Sequence, residues 1–361
     1  MERYVYKNGK KLRYGYTTGS CATAATYAAL KMIQSQSPCK TVALEVPKGW
    51  TIDIPIVNQQ FTATTATAGV LKDSGDDPDV TNGIEIGASV SIQPGTGRII
   101  IDGGIGVGRV QKKGLGFEIG QAAINKVPMR MIQKVAHPFI EEDKDIYITI
   151  FVPQGEQVAK RTFNEGVGIV GGISIIGTTG IVEPMSQEAF KDSIALELKI
   201  LRENGAEHII LSPGNYGIDF AKDTGVDISQ SVKYSNFLGD TLEKCVELGF
   251  KEITLIGNLG KMIKVAGGIF NTHSRVADGR KEIMAAYALL AGGDKALALA
   301  MLETLTTDEG LDLLKEVDLI EAFSKLVGDE IHRRIKRYIY DEMQIHLKVF
   351  SNTYGLLYES E

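Results

Sequence analysis

GISIIG (172–177), HIILS (208–212) and EITLIG (252–257) are short, mostly apolar runs, each bounded by glycine or proline. Helical patterning fills the spaces after them, at about 187–204 and 239–248. Strands that are apolar throughout and alternate with helices indicate a parallel sheet covered on both faces. The expected fold for this part of the chain is therefore a parallel α/β sheet. From about residue 275 the sequence reads as helix, with charged residues interleaved among Leu, Ala and Ile.

Upstream the pattern changes. TVALEV (41–46), WTIDIPIV (50–57), FTATTATAGV (61–70), ASVSIQ (88–93), RIIID (98–102) and DIYITIFV (145–152) read as strands, several with the alternation of a half-buried sheet. Two helices interrupt them, one from Thr18–Ser20 to about Gln34 and one between Gly120 and Phe139, broken at Pro128. This predicts a β-rich α+β domain over 1–160 and an α/β domain with C-terminal helices over 161–361.

Composition sets the outer limits. The 361 residues are 43% hydrophobic and 23% charged, which excludes wholesale disorder. A net charge of −6 argues against non-specific nucleic-acid binding. Cys21, Cys39 and Cys245 have no metal-ligand spacing and form no disulfide framework, as in a reducing cytoplasm. MERYVYKNGKKLRYGY has no apolar core of a signal peptide, and 168–182 is too short and glycine-rich to span a membrane. Forty glycines exceed the usual share and belong in tight turns or ligand-hugging loops.

Five segments carry candidate chemistry. In GYTTGSCATAATYAALKMI (15–33), Thr17, Thr18 or Ser20 caps a helix whose first turn either binds an anion or is an ordinary packed start. In KDSGDDPDVTNG (72–83), Asp76 and Asp77 belong to an acidic turn without EF-hand spacing. IDGGIGVGRVQKKGLG (101–116) sets Arg109, Lys112 and Lys113 in a glycine loop, either an acidic-ligand site or a hairpin tip. Three strand ends, Gly177-Thr178-Thr179-Gly180, Ser212-Pro213-Gly214 and Gly257-Asn258, are expected to line one small-molecule crevice at the carboxyl edge of the sheet. In AGGIFNTHSRVADGR (266–280), His273 beside Asp278 is a candidate acid–base pair.

In this order the blocks resemble the cobalt-precorrin-5B C1-methyltransferases, the CbiD family of cobalamin biosynthesis. The resemblance rests on GYTTGSCATAA (15–25), GDDPDVTNG (75–83), GVGRV (106–110), parts of AINKVP (123–128), TFN (162–164), the whole of 168–186, and GIFNTHSRVADGR (268–280). Gln111, Lys113, Lys126 and Asn82 depart from the family pattern. The resemblance implies an α+β domain followed by a Rossmann-like parallel α/β domain. It implies methyl transfer from S-adenosylmethionine to C1 of an anionic cobalt corrinoid, with the cobalt belonging to the substrate, no protein-bound metal, and no nucleic-acid or membrane partner. On that basis Gly171, Gly177, Thr178, Thr179, Gly180, Glu183, Gly214, Gly257 and Asn258 are expected to bind the cofactor. Thr17, Thr18, Ser20, Asp76, Asp77, Arg109 and Arg275 are expected to bind substrate, and His273 with Asp278 to orient it. Two other classes fit the residues alone: a nucleotide-dependent small-molecule kinase and a non-catalytic tetrapyrrole carrier.

Overall fold

The computed structural model describes residues 2–7, 9–162, 164 and 166–360, so Phe163 of the TFN run lies outside the described residues. The chain divides into two units, residues 1–187 and 188–361. The division falls 27 residues later than the expected 160/161 (187 − 160), because 161–187 is hydrogen-bonded into the first unit.

Unit 1 is built on a five-stranded sheet of β1 (Val57–Phe61), β2 (Thr65–Leu71), β3 (Glu85–Pro94), β4 (Ile99–Gly103) and β5 (Lys144–Phe151). The spatial order is β1-β2-β3-β5-β4, antiparallel except for the β5–β4 pair. Ile146, Ile148 and Ile150 point to the core and are essentially inaccessible, as the alternation predicts. Helix α1 (Thr18–Ser35) joins that core, with Ala22, Ala24, Ala25, Ala28 and Ala29 all fully buried. The small side chains let the helix lie close to its neighbours. Helix α2 (Lys126–Ala136) is not broken at Pro128. The proline sits in the first turn, where its missing N–H has no intrahelical partner to lose.

Unit 2 carries β6 (His208–Ser212), β7 (Ser231–Lys233), β8 (Glu252–Asn258), β9 (Gln344–Ser351) and β10 (Gly355–Glu359) in the order β7-β6-β8-β9-β10. The first three pairings are parallel and the β9–β10 edge is antiparallel. Helices α3 (Gln187–Glu203), α4 (Asn215–Asp223), α5 (Leu238–Leu248) and α6 (Leu259–Ala266) connect or precede these strands. Four more follow: α7 (Arg280–Leu290), α8 (Lys295–Glu303), α9 (Thr307–Glu316) and α10 (Ile320–Tyr338).

Two expectations are corrected here. The run 172–177 is not a strand of this sheet: only Gly172–Ile173 is a strand, and it pairs with Gly106–Val107 in unit 1. The chain also does not end in helices. QIHLKVFS (344–351) alternates core Ile345, Leu347 and Val349 with more accessible polar residues and forms β9. The charged helices that precede it mask that period-two signal.

Candidate functional site

The winding of the unit 2 sheet reverses at β6. The chain leaves β6 for β7 on one side and then crosses to β8 on the other. In open α/β sheets ligands bind outside the carboxyl ends of strands where the winding reverses in this way. The loops at these ends are Ser212–Tyr216 after β6, Tyr234–Asn236 after β7, Asn258–Lys261 after β8 and Ser351–Tyr354 after β9.

Ser212 is fully buried, and its Oγ donates to the Gly214 carbonyl at 2.9 Å. Gly214 precedes α4, and a Cβ added there would meet nothing within 4 Å, so the first turn of α4 opens to solvent. Gly217 is the reverse case: a Cβ would fall 2.1 Å from Ser212 Oγ and 2.9 Å from the Ile256 carbonyl. Only glycine allows α4 to rest directly on the ends of β6 and β8. Asn258 caps α6 by accepting from the Gly260 N–H at 2.9 Å, and its Nδ2 faces Asn352 Oδ1 at 3.5 Å. Gly257 lies under Met262, whose Sδ would be 2.5 Å from an added Cβ. Lys261 donates to the Ser235 carbonyl and to Asn236 Oδ1 at 2.9 and 3.0 Å, and burial, with Lys264 nearby, pushes its pKa down. Asp308, at the start of α9, accepts from Ser351 Oγ and Thr353 Oγ1 at 3.0 and 2.7 Å. A cavity of about 410 Å³ lined by Asp278, Arg280 and Thr304–Thr307 adjoins this rim through Thr307, which also approaches Gly260.

The 271–280 loop is pinned from below. Lys264, 3% exposed, donates to the carbonyls of Thr272 and Ala277 at 3.2 and 3.0 Å and lies 3.7 Å from Asp278. The Asp278 carboxylate is held by Arg280 at 2.9 and 3.0 Å, and Arg280 holds its pKa below the usual range. His273 is half-buried, and its Nδ1 accepts from the Arg275 N–H at 3.1 Å. Asp278 is thus committed to Arg280 and Lys264 rather than to His273, so the expected acid–base pair does not form. Arg275 is exposed on the same loop.

The remaining predicted residues sit in unit 1. Thr17, Thr18 and Ser20 are buried, and their hydroxyls serve the backbone. Thr17 caps α1 by accepting from the Ser20 N–H at 3.2 Å. Thr18 Oγ1 accepts from the Ile176 N–H at 2.8 Å and donates to the Ile176 carbonyl at 3.1 Å. Ser20 Oγ donates to the Gly180 carbonyl at 2.7 Å. The Gly19 N–H also bonds the Ile176 carbonyl, at 2.9 Å. The start of α1 therefore holds the 174–180 loop in place of a free anion. Gly177 (φ +134°) lies against Thr17, leaving Thr178 and Thr179 exposed at the tip. Gly171, Gly177, Thr178, Thr179, Gly180 and Glu183 lie outside the parallel sheet of unit 2, where three strand ends had been expected together.

Charged candidates in unit 1 are paired. Arg109 forms a fork with Asp102 at 2.7 and 3.0 Å. Asp76 accepts from the Arg13 N–H and Asp77 from the Met185 N–H. Buried Lys72 neutralises Asp79 at 2.6 Å, and Arg13 grips Asp73. Within 101–116, Gly106 meets backbone directly: a Cβ on it would stand 1.9 Å from the Val152 carbonyl, and one on its partner Gly172 2.2 Å from the Gly106 carbonyl, whereas Gly103, Gly104 and Gly108 lie against side chains. They bring strands together and do not form a phosphate cradle. Among the described residues no group of three or more His, Cys, Asp and Glu is arranged to hold a metal ion.

Sequence reasoning missed a cluster around Glu183. Lys7 and Lys48 reach its carboxylate at 2.8 and 3.7 Å, and Lys7 foremost holds its pKa down. Tyr14 and Trp50 pack beside Lys48, and Arg3 lies over the Trp50 ring. The dense basic and aromatic residues of 1–16 were the available signal.

The chain matches the family model CbiD over residues 5–184 and the CbiD C-terminal domain over 271–361. It is 47% identical over 358 residues to a cobalt-precorrin-5B C(1)-methyltransferase of Thermoanaerobacter sp. (strain X514), covering 99% of this chain and 98% of that protein. The protein of the same name from Alkaliphilus metalliredigens (strain QYMF) is 43% identical, with 99% and 94% covered. A 1.9 Å crystal structure of a cobalamin biosynthesis protein (cbiD) from Archaeoglobus fulgidus is 27% identical, covers 77% of this chain and 87% of that one, and has a TM-score of 0.39. On the full-length identity and both matched segments, the chain belongs to the CbiD family.

Proposed function

We propose that the chain transfers a methyl group from S-adenosylmethionine to ring carbon C1 of cobalt-precorrin-5B, giving cobalt-precorrin-6A in anaerobic cobalamin biosynthesis. The observation that carries this reading is 47% identity across 99% of the chain to a relative bearing that activity in its name. The three free cysteines, Cys21 and Cys245 among them buried, fit a cytoplasmic enzyme. Among the described residues no helix is long and apolar enough to cross a membrane.

The strand ends of unit 2 offer groups suited to the methyl donor. Gly214 and the open first turn of α4 would take the methionine carboxylate, since unpaired N–H groups at a helix start attract anions. Asn258 Nδ2, whose nearest partner is 3.5 Å away, would donate to a ribose hydroxyl, while Gly257 leaves room for Met262 over the strand end. When bound, S-adenosylmethionine supplies an already activated, electrophilic methyl group. The protein then has to align donor and acceptor and exclude water, and needs no strong base. Asp278, tied to Arg280 and Lys264, fixes the 271–280 loop. His273, with Nδ1 engaged, offers Nε2 to substrate. No cofactor role is proposed for Gly171, Gly177, Thr178, Thr179, Gly180 or Glu183.

Calorimetry with S-adenosylhomocysteine, with ATP in parallel, tests the placement. Binding of S-adenosylhomocysteine alone, weakened at least about tenfold by Gly214→Val, is the expected result. Binding of ATP in its place would favour a kinase. Full-strength binding to Gly214→Val would move the cofactor elsewhere.

A further inference from the structure

Three stretches of unit 1 meet around the molecule's single tryptophan. The Arg3 guanidinium stacks 4.1 Å above the Trp50 ring. The Lys48 ammonium lies 4.8 Å from the same ring and 4.9 Å from Tyr14, whose own ring meets Trp50 edge-on at 5.3 Å. Lys7 and Lys48 share Glu183, and the Lys48 N–H bonds the Thr179 carbonyl at 3.0 Å, beside the exposed tip of the 177–180 loop. Two cations thus share one carboxylate, and a third, Arg3, lies over the neighbouring indole.

The cations differ in how far they are committed. Arg13, Arg98, Arg109 and Arg280 each grip a carboxylate with two donors. Arg3 is exposed; its carbonyl accepts from the Tyr14 N–H at 2.9 Å, but its guanidinium has no hydrogen bond or ion pair among the described residues. Stacking on indole orients a guanidinium while leaving its N–H edges available to an incoming carboxylate. Lys48 reaches Glu183 only at 3.7 Å, too long for a full hydrogen bond. Both side chains are therefore pre-oriented by aromatic contact and retain donors.

Resting on the reaction proposed above, we infer that Arg3, Lys48 and Trp50 form the docking site for acid side chains of the macrocyclic substrate. The cations take the carboxylates, and Trp50 gives an apolar wall for the ring edge. This assigns to Arg3 and the 46–50 turn the role expected of Arg109, which Asp102 already occupies.

Cobyrinic acid, a stable carboxylate-rich corrinoid, is the probe, and the full chain is titrated by calorimetry and by Trp50 emission. The native protein is expected to bind it saturably with a change in Trp50 emission. Arg3→Ala and Lys48→Ala should each weaken binding about tenfold, the loss of one charge-assisted contact. Lys48→Arg should restore most of it. The fully esterified corrinoid should bind at least about tenfold more weakly, and S-adenosylhomocysteine affinity should not change in any variant. Undiminished cobyrinic acid binding in both alanine variants would overturn the docking site and leave the methyltransferase reading standing. Equal binding of acid and ester would also overturn it, because charge would then play no part. A native protein that binds neither form would remove the docking site and the corrinoid reading together.

Discussion

Both units carry a five-stranded sheet, but one segment of unit 1 is held by different means. In unit 2, β8 and β9 pair in register over seven positions, and apolar side chains fill the core on the sheet. In unit 1 the decisive segment, 169–182, is held by three two-residue pairs, to 106–107, 109–110 and 15–16. The first of those pairs is possible because side chains are missing at Gly106, Gly155 and Gly172, where backbones touch. A regular sheet tolerates substitution at many positions. A glycine-stitched joint fails at one.

The largest expected effect follows from that difference. Gly106→Ala places a Cβ 1.9 Å from the Val152 carbonyl at φ +70° and should cost more than about 4 kcal/mol, enough to unfold unit 1 in most conditions. Gly214→Ala, with nothing within 4 Å, should stay within about 0.5 kcal/mol. Denaturant unfolding of the two variants checks the pair, and equal losses would break the comparison.

Buried lysines come next. Lys72→Met strands Asp79, whose carboxyl burial raises but Lys72 and Thr81 hold below its usual range, and should cost about 3 kcal/mol. Lys264→Met leaves mainly two neutral carbonyls and should cost nearer about 1–2 kcal/mol. A larger loss for Lys264 would mean that the 271–280 loop governs unit 2.

Thr18→Val should cost about 1 kcal/mol, and hydrogen exchange should show the Ile176 N–H opening before the β5 amides do.

The smallest effect has opposite signs in the two units. Arg98, with the N–H groups of Thr96 and Arg98, holds the buried Asp145 carboxyl at about 2, from an ordinary 3.8. Its stabilisation is complete above 3.8 and is lost as pH falls toward about 2. In unit 2, burial pushes Glu197 from 4.5 to about 6, against the pull of Lys233. There the folded form favours the proton, so a penalty grows as pH rises from 4.5 through about 6. Glu197→Gln should flatten that second dependence and leave the first intact, as followed by thermal unfolding between pH 2 and 7 (an assay range set by these two carboxyls).

Much of this was legible in the sequence where structure is local. The strands at 208–212 and 252–258, the capped α1 and the Gly214 and Asn258 turns follow from hydrophobic period and turn residues. GISIIG has the same composition as those strands, yet its partners lie about 65 residues upstream, at 106–107, and no local pattern encodes that pairing. Residues 344–351 show the converse, an alternating strand hidden behind charged helices. The pairing of Arg109 with Asp102 and the approach of Lys264 to Asp278 are set by the fold, whereas Arg280, two residues from Asp278, was a visible partner in the sequence. The family resemblance carried the functional reading beyond what spacing alone supported.

Methyl transfer to C1 is put to the test by an anaerobic reaction of the purified chain with cobalt-precorrin-5B and S-adenosylmethionine carrying an isotope-labelled methyl group. The expected result is one labelled methyl on C1 by mass spectrometry and carbon NMR, with S-adenosylhomocysteine as co-product. Recovery of unmethylated corrinoid from a protein that binds both compounds, or label on another ring carbon, would contradict it.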